Sequence, residues 1–157
     1  MAKAAASIVF LSSHNRNGTQ SFPEAQAGAG IAAGHMLTLD HTTTPPTATA
    51  SDGTVPWDQL YIALEKVFDD ANTADAIDAL YVAGDVVRYV SPVRGDRLNV
   101  IAEGAITIDA IVIDGGATQI GTFLTSGTID ATTIANTLKA KALTTGVDGL
   151  RFDIEVL

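Results

Sequence analysis

Histidine and carboxylate side chains are the first place to look for chemistry in this chain of 157 residues, which has no cysteine. His35, Asp40 and His41 surround one short apolar run, Met36-Leu37-Thr38-Leu39. Zinc ligands carried on one strand must sit an even number of residues apart to share a face. His35 and His41 meet that parity, Asp40 does not, and no fourth ligand is nearby. The pattern is therefore that of solvent-facing residues at the two ends of a strand. The acidic run Asp69-Asp70-Ala71-Asn72-Thr73-Ala74-Asp75 offers carboxylates for calcium, but it lacks the central Gly and terminal Glu of a calcium loop. It fits a solvated turn. Glu65, Asp69 and Asp70 are close enough for paired acid–base work, as in most acidic loops. Serine hydrolysis is not supported, because there is no G-x-S-x-G elbow and every histidine lies within the first 41 residues. The absence of cysteine removes thiolate catalysis, disulfides and cysteine-ligated zinc together. These observations predict a protein that is not an enzyme and uses no metal or cofactor.

Two further motifs invite a functional reading. Ala27-Gly28-Ala29-Gly30-Ile31 is glycine-rich, but it lacks the Lys-Ser/Thr of a phosphate loop. Gly28, Gly30 and Gly34 are spaced one residue too long for a dinucleotide fingerprint. A tight turn leading into Met36-Leu37-Thr38-Leu39 accounts for it. Arg94-Gly95-Asp96 spells an adhesion tripeptide, yet any Arg before a Gly-Asp turn spells it too.

Composition narrows the partners. The chain has 9 basic and 18 acidic residues, a net charge of −9 and a pI near 4.5. Neutralising a nucleic-acid backbone needs clustered Lys and Arg, so nucleic acid is not an expected partner. No stretch is long and apolar enough to span a membrane. The apolar start of the chain loosely imitates a signal peptide but has no small-residue cleavage site. Hydrophobic residues make up 46% and aromatics 6%, which fits a β core of small and β-branched side chains better than an aromatic ligand pocket.

The elements that must position these residues are mostly strands. Leu80-Tyr81-Val82-Ala83-Gly84-Asp85-Val86-Val87-Arg88-Tyr89-Val90 is the centre of the chain, with Gly-Asp turns at 84–85 and 95–96. Residues 1–27 predict an arm ahead of the domain, in which Ser7, Ile8, Val9, Phe10 and Leu11 add a strand to a neighbouring molecule. Residues 40–56 predict a connection or hairpin, with Asp52-Gly53 as the best turn signal. Trp57, Leu60, Tyr61, Leu64, Val67 and Phe68 fit a helix, whereas residues 60–64 also fit a buried strand, and periodicity leaves both open. Residues 104–116 alternate as a half-buried strand pair, and residues 106–112 echo the apolar positions of residues 31–37. Residues 132–143 predict a short helix with Gly146 beyond its end. The final segment alternates strictly, which predicts a strand burying Leu150, Phe152, Ile154 and Val156 on one face.

Taken in order, these segments resemble the head decoration proteins of lambda-type tailed phages. The resemblance rests on Met36-Leu37-Thr38-Leu39-Asp40, the Thr/Pro-rich link, Asp52-Gly53-Thr54, Leu60-Tyr61-Ile62-Ala63-Leu64, the acidic loop, Ala79 through Val87, and the closing helix and strand. It covers about two thirds of the chain, as a judgement of pattern order. What the resemblance implies is a mainly β (α+β) fold of the β-tulip type, a small barrel or sandwich with one short C-terminal helix and an extended N-terminal arm. Residues 1–27 would be the capsid-docking arm and residues 28–157 the decoration domain. Residues 95–128 depart from the family and fit an inserted β segment. The implied role is a cement protein of the virion, made in the host cytoplasm. It would bind the major coat protein as a homotrimer at threefold sites outside the expanded head and stabilise the shell against DNA pressure. The resemblance also implies that residues 60–64 form a strand. A surface adhesion or carbohydrate-binding β domain is the alternative, although only Phe123 offers an aromatic ring between residues 95 and 128.

Overall fold

The computed structural model describes residues 9–13, 22–52, 60–66, 80–114, 121–125 and 140–157. Among these the strands are β1 (Phe10–Ser13), β2 (Glu24–Ala27), β3 (Met36–Asp40), β4 (Thr47–Ala50), β5 (Tyr61–Ala63), β6 (Val86–Val90), β7 (Asp96–Ile101), β8 (Ile111–Asp114), β9 (Phe123–Thr125), β10 (Ala140–Ala142) and β11 (Arg151–Val156). No described residue is helical, so the fold is mainly β. In β11 the period-two pattern works as expected: Phe152, Ile154 and Val156 are buried. Leu150 does not join them, because it closes the turn before the strand and is 59% exposed. Residues 60–64 contain strand β5.

One local signal was overridden. Residues 140–142, expected at the end of a helix, form β10, whose backbone pairs with β11 and β8. Tertiary pairing outweighs the helix preference of two alanines; residues 132–139 lie outside the described residues. The β3–β4 hairpin turns at Asp40, and Gly53 of the expected Asp52-Gly53 turn lies outside the described residues. Asp40 Oδ1 accepts from the Thr42 backbone N–H (2.9 Å) and hydroxyl (2.7 Å), so a side chain rather than a glycine reverses the chain. Residues 95–128, expected as an insertion, supply β7, β8 and β9, and Leu98, Val100, Val112 and Phe123 are all fully buried.

The echo between residues 31–37 and 106–112 marks a duplication of the whole fold. Strands β2-β4-β3-β5-β6 close a barrel, and β7-β11-β10-β8-β9, neighbours in a six-stranded sheet edged by β1, follow the same order as β2-β6-β5-β3-β4. Registers coincide. Gln26 faces Val86 as Ile101 faces Arg151, Met36 faces Ile62 as Ile111 faces Lys141, and Ala63 faces Tyr89 as Ala142 faces Ile154. The parallel pairing of Ala27 with Ala48 that closes the first barrel recurs as the parallel bridge of Ala102 with Phe123.

Four similar turns lock these strands. Ile31 and Tyr81 exchange two backbone hydrogen bonds (3.0 and 2.8 Å), and Ile106 and Gly146 do the same (3.0 and 2.9 Å). Three residues after each comes a left-handed residue: Gly34, Gly84, Asp109 or Gly149. Its N–H donates to the carbonyl of Ala63, Ala27, Ala142 or Ala102 respectively, at 2.8–2.9 Å. Each repeat thus contains two units that clasp each other reciprocally.

The two interiors are filled differently. The first holds Ala25, Ala27, Ile31, Leu37, Ala48, Ala63, Tyr81, Val87 and Tyr89. In the second, the equivalent positions are Val100, Ala102, Ile106, Val112, Phe123, Ala142, Gly146, Phe152 and Ile154. A ring at Tyr81 with Ala48 is exchanged for a ring at Phe123 with Gly146, keeping each core filled. The repeats stack, and Ala33, Met36, Ile62 and Val90 on the first share one apolar cluster with Leu98, Ala140 and Val156 on the second. Val9 belongs to this cluster, and β1 pairs with β7 of its own chain. The described part of the expected arm therefore lies within the fold, as does β2; Ser7 and Ile8 lie outside the described residues.

The stacking has a sharp test in two glycines with similar backbones. Gly34 (φ 85°) would place a Cβ 2.8 Å from the Asn99 carbonyl oxygen across the junction, whereas a Cβ on Gly104 (φ 75°) meets nothing within 4 Å among the described residues. Gly104→Ala is expected to cost about 1 kcal/mol of backbone strain. Gly34→Ala should cost at least about 2 kcal/mol more, since backbone must move. Urea midpoints of the two variants measure the difference, and equal losses would contradict the close junction.

Candidate functional site

Bringing the chain together disperses the candidate ligands. His35 and His41 sit at opposite ends of β3, roughly 20 Å apart at the rise of an extended strand. His41 is exposed, but His35 is half-buried between the two repeats, not solvent-facing as its position at a strand end suggests. Among the described residues no three His, Asp or Glu side chains converge as a metal site would require. Asp69, Asp70 and Asp75 lie outside the described residues. Glu65 is committed to structure: Oε2 accepts from the Val9 N–H (3.1 Å) and Oε1 lies 3.6 Å from Arg88 Nη2. Asp96 of the Arg-Gly-Asp triplet is fully buried, with Oδ2 accepting from the Val93 N–H at 2.9 Å. That carboxylate is closed to a receptor.

The Gly-Asp turns share a mechanism. Asp85 Oδ2 accepts from the Val82 N–H (2.9 Å) as Asp96 does from Val93, and each Asp N–H donates back to that same residue's carbonyl at 3.0 Å. Glycine in the left-handed region allows the reversal (φ 92° at Gly84, 90° at Gly95). Lys66 lies 2.9 Å from Asp85, and this hydrogen bond, followed by the one from Val82, holds the Asp85 carboxyl below the usual range. The glycine-rich stretch from residue 27 to 31 serves as the link from β2 to the Ile31 bridge, with Gly28 donating to the Ala48 carbonyl (2.9 Å).

The most elaborate constellation is the junction around His35. Its Nδ1 accepts from the Ala32 N–H at 3.2 Å. A Cβ on Gly121 would fall 2.8 Å from the imidazole ring. Arg151 reaches across from β11 and donates from Nη1 to the Ala33 carbonyl (2.8 Å), while Met36 N–H donates to the Gly121 carbonyl (2.9 Å). Burial, and then the Arg151 charge, lower the His35 pKa to about 4. The constellation fastens one repeat to the other.

What the molecule does offer is surface. Leu80, Val82 and Val86 on the first repeat, Ile108 and Ile111 on the second, and Val147 and Leu150 near β11 are large apolar residues exposed by 39–62%. A shallow depression of about 130 Å³ is lined by Glu24, Ala25, Gln26, Pro45, Gly84 and Val86. Sequence periodicity cannot reveal these positions, because an apolar residue in a turn looks like one in a core strand.

No protein-family model matches this sequence, and no curated protein matches it. Among solved structures the chain is similar to the head fiber gp8.5 N base of bacteriophage phi29, with a TM-score of 0.57 and 16% identity, covering 87% of this chain and 93% of that one. At that identity the likeness shows a shared fold.

The junction makes stability depend on pH. His35 has an ordinary pKa of 6.5 when unfolded and about 4 when folded, so the unfolded chain binds the proton first as pH falls. The stabilisation is complete above pH 6.5, declines as pH falls from 6.5 to 4, and levels off below that, with a total loss of up to about 3 kcal/mol. His35→Asn keeps an acceptor for the Ala32 N–H but does not titrate. Urea unfolding across this range should show a slope in the parent protein that flattens in the variant; parallel slopes would exclude His35 as the cause.

Proposed function

We propose that this chain is a non-enzymatic structural protein of a phage virion, carried on the outside of the head. The single observation behind this reading is the fold shared with the base of a head fiber over most of both chains. The sequence resemblance to head decoration proteins points the same way. The finer reading is a cement protein that binds the major coat protein at threefold sites as a homotrimer and stabilises the expanded shell against the pressure of packed DNA. The residues ahead of Val9, with Ser7 and Ile8, would make the shell contact by strand addition, which needs few specific side chains. Val9, Phe10 and Leu11 anchor that segment to the body. Many shallow contacts made together give strength without a deep pocket.

Co-sedimentation with expanded, undecorated heads tests the reading. Saturable binding in multiples of three per threefold site is expected, and a chain lacking residues 1–8, which retains Val9 and β1, should lose it while keeping its circular dichroism. If the intact protein does not sediment with heads, the cement role is excluded and a glycan screen for the adhesion alternative follows. If the shortened chain still binds, the contact lies elsewhere on the body.

A further inference from the structure

The duplication makes it possible to ask what covers each face by looking at its twin. On the second repeat the turn Ala32-Ala33-Gly34-His35 is seated on Asn99, Val100 and Arg151. A Cβ on Gly34 would fall 2.8 Å from Asn99 O, 3.0 Å from Arg151 Nη1 and 3.1 Å from Val100 Cα. The strand registers convert these three seat residues into Glu24, Ala25 and Val86 on the first repeat. Those three residues line the 130 Å³ depression, together with Gln26, Pro45 and Gly84. Among the described residues the depression is thus the unfilled copy of a seat that, on the second repeat, is occupied by a turn with a left-handed glycine.

The chain also presents turns of that kind. Val147-Asp148-Gly149-Leu150 has the same form: Leu150 N–H donates to the Val147 carbonyl at 2.8 Å, and Gly149 has φ 72°. Among the described residues nothing lies within 4 Å of a Cβ placed on Gly149, so this glycine can approach a backbone closely. Val147 and Leu150 are 57% and 59% exposed, facing outward as an apolar pair, and Val86 in the seat is 62% exposed. Two other outward turns are less suited: Val82-Ala83-Gly84-Asp85 itself lines the depression through Gly84, and Thr107-Ile108-Asp109-Ala110 carries no glycine. Asp109 has a Cβ where Gly34 has none, and its carboxylate, 2.8 Å from Lys141 Nζ, would meet Glu24.

We propose that the protein self-associates head to tail, with the Val147–Leu150 turn of one copy seated in the Glu24–Val86 depression of the next. Burial of Val86, Val147 and Leu150 drives the contact, and Gln26 beside the seat offers an amide donor in place of Arg151. The two surfaces differ, so the contact is heterologous and leads to a ring or an open chain. With a net charge of −9, copies repel at low ionic strength, and association tightens as salt screens them.

The inference concerns purified protein alone, so its failure is distinct from failure to bind heads. Sedimentation velocity of the full chain should show mass rising with concentration, more steeply at moderate than at low salt. Val86→Glu (seat) and Leu150→Glu (turn) should each weaken association about tenfold or more, the scale of a central apolar contact. Both side chains are largely exposed, so unchanged urea midpoints confirm folding. Mixing the two variants should restore one contact and give a one-to-one dimer, because each keeps the half that the other lacks. Ile108→Glu should leave association unchanged. The proposal is overturned if the parent protein stays monomeric, if either variant associates like the parent, if the mixture remains monomeric, or if Ile108→Glu abolishes association.

Discussion

The structure depends on one reciprocal backbone arrangement used twice. Two residues at the start of paired units exchange N–H and C=O, and three residues later each unit donates an N–H to the strand end of the other. The donor residue must adopt the left-handed region, which is why three of these four positions are glycine. The acceptor is alanine every time. The clasp joins residues distant in sequence, Gly34 to Ala63 and Gly84 to Ala27, so neither unit completes its ring without the other. Strands as short as three residues gain their order from this closure rather than from length.

Stacking of the two repeats follows from how their surfaces diverged. Ala33, Met36, Ile62 and Val90 make the first repeat's face apolar, and the second repeat covers it. The register places Ile108, Ile111, Lys141 and Glu155 at the same positions on the second repeat. There Lys141 pairs with Asp109 and Glu155 with Arg97, each at 2.8 Å. Such a surface tolerates water, as the terminal units of repeat proteins do. The stack is thereby limited at this end, while the opposite end keeps its seat.

The proposed role in an assembly draws on how the polar and apolar groups are placed. Asp96, which is buried, and His35 and Glu65, which are half-buried, are engaged in turns and junctions, and several large apolar residues in or beside turns are exposed. Rigid elements with small apolar tips suit contacts repeated over a lattice, where each need be only modestly strong.

Much of the local structure was legible in the residues. Alternation in the last six positions of β11, the Gly-Asp turns, and the apolar runs at Met36, Leu60 and Val86 follow from pleat geometry and left-handed glycines, which act within a few residues. The echo between residues 31–37 and 106–112 was a true trace of the duplication, but the rest of the repeat was hidden. Its cores exchange Tyr81 for Gly146 and Ala48 for Phe123, so the conserved quantity is filled volume rather than residue identity. Tertiary structure alone decided that Val9 belongs to the core, that Ala140-Lys141-Ala142 is a strand, and that Leu150 and Val86 face outward. Each of these depends on a partner far along the chain, and hydrogen bonding and burial between distant segments leave no periodic mark in either one.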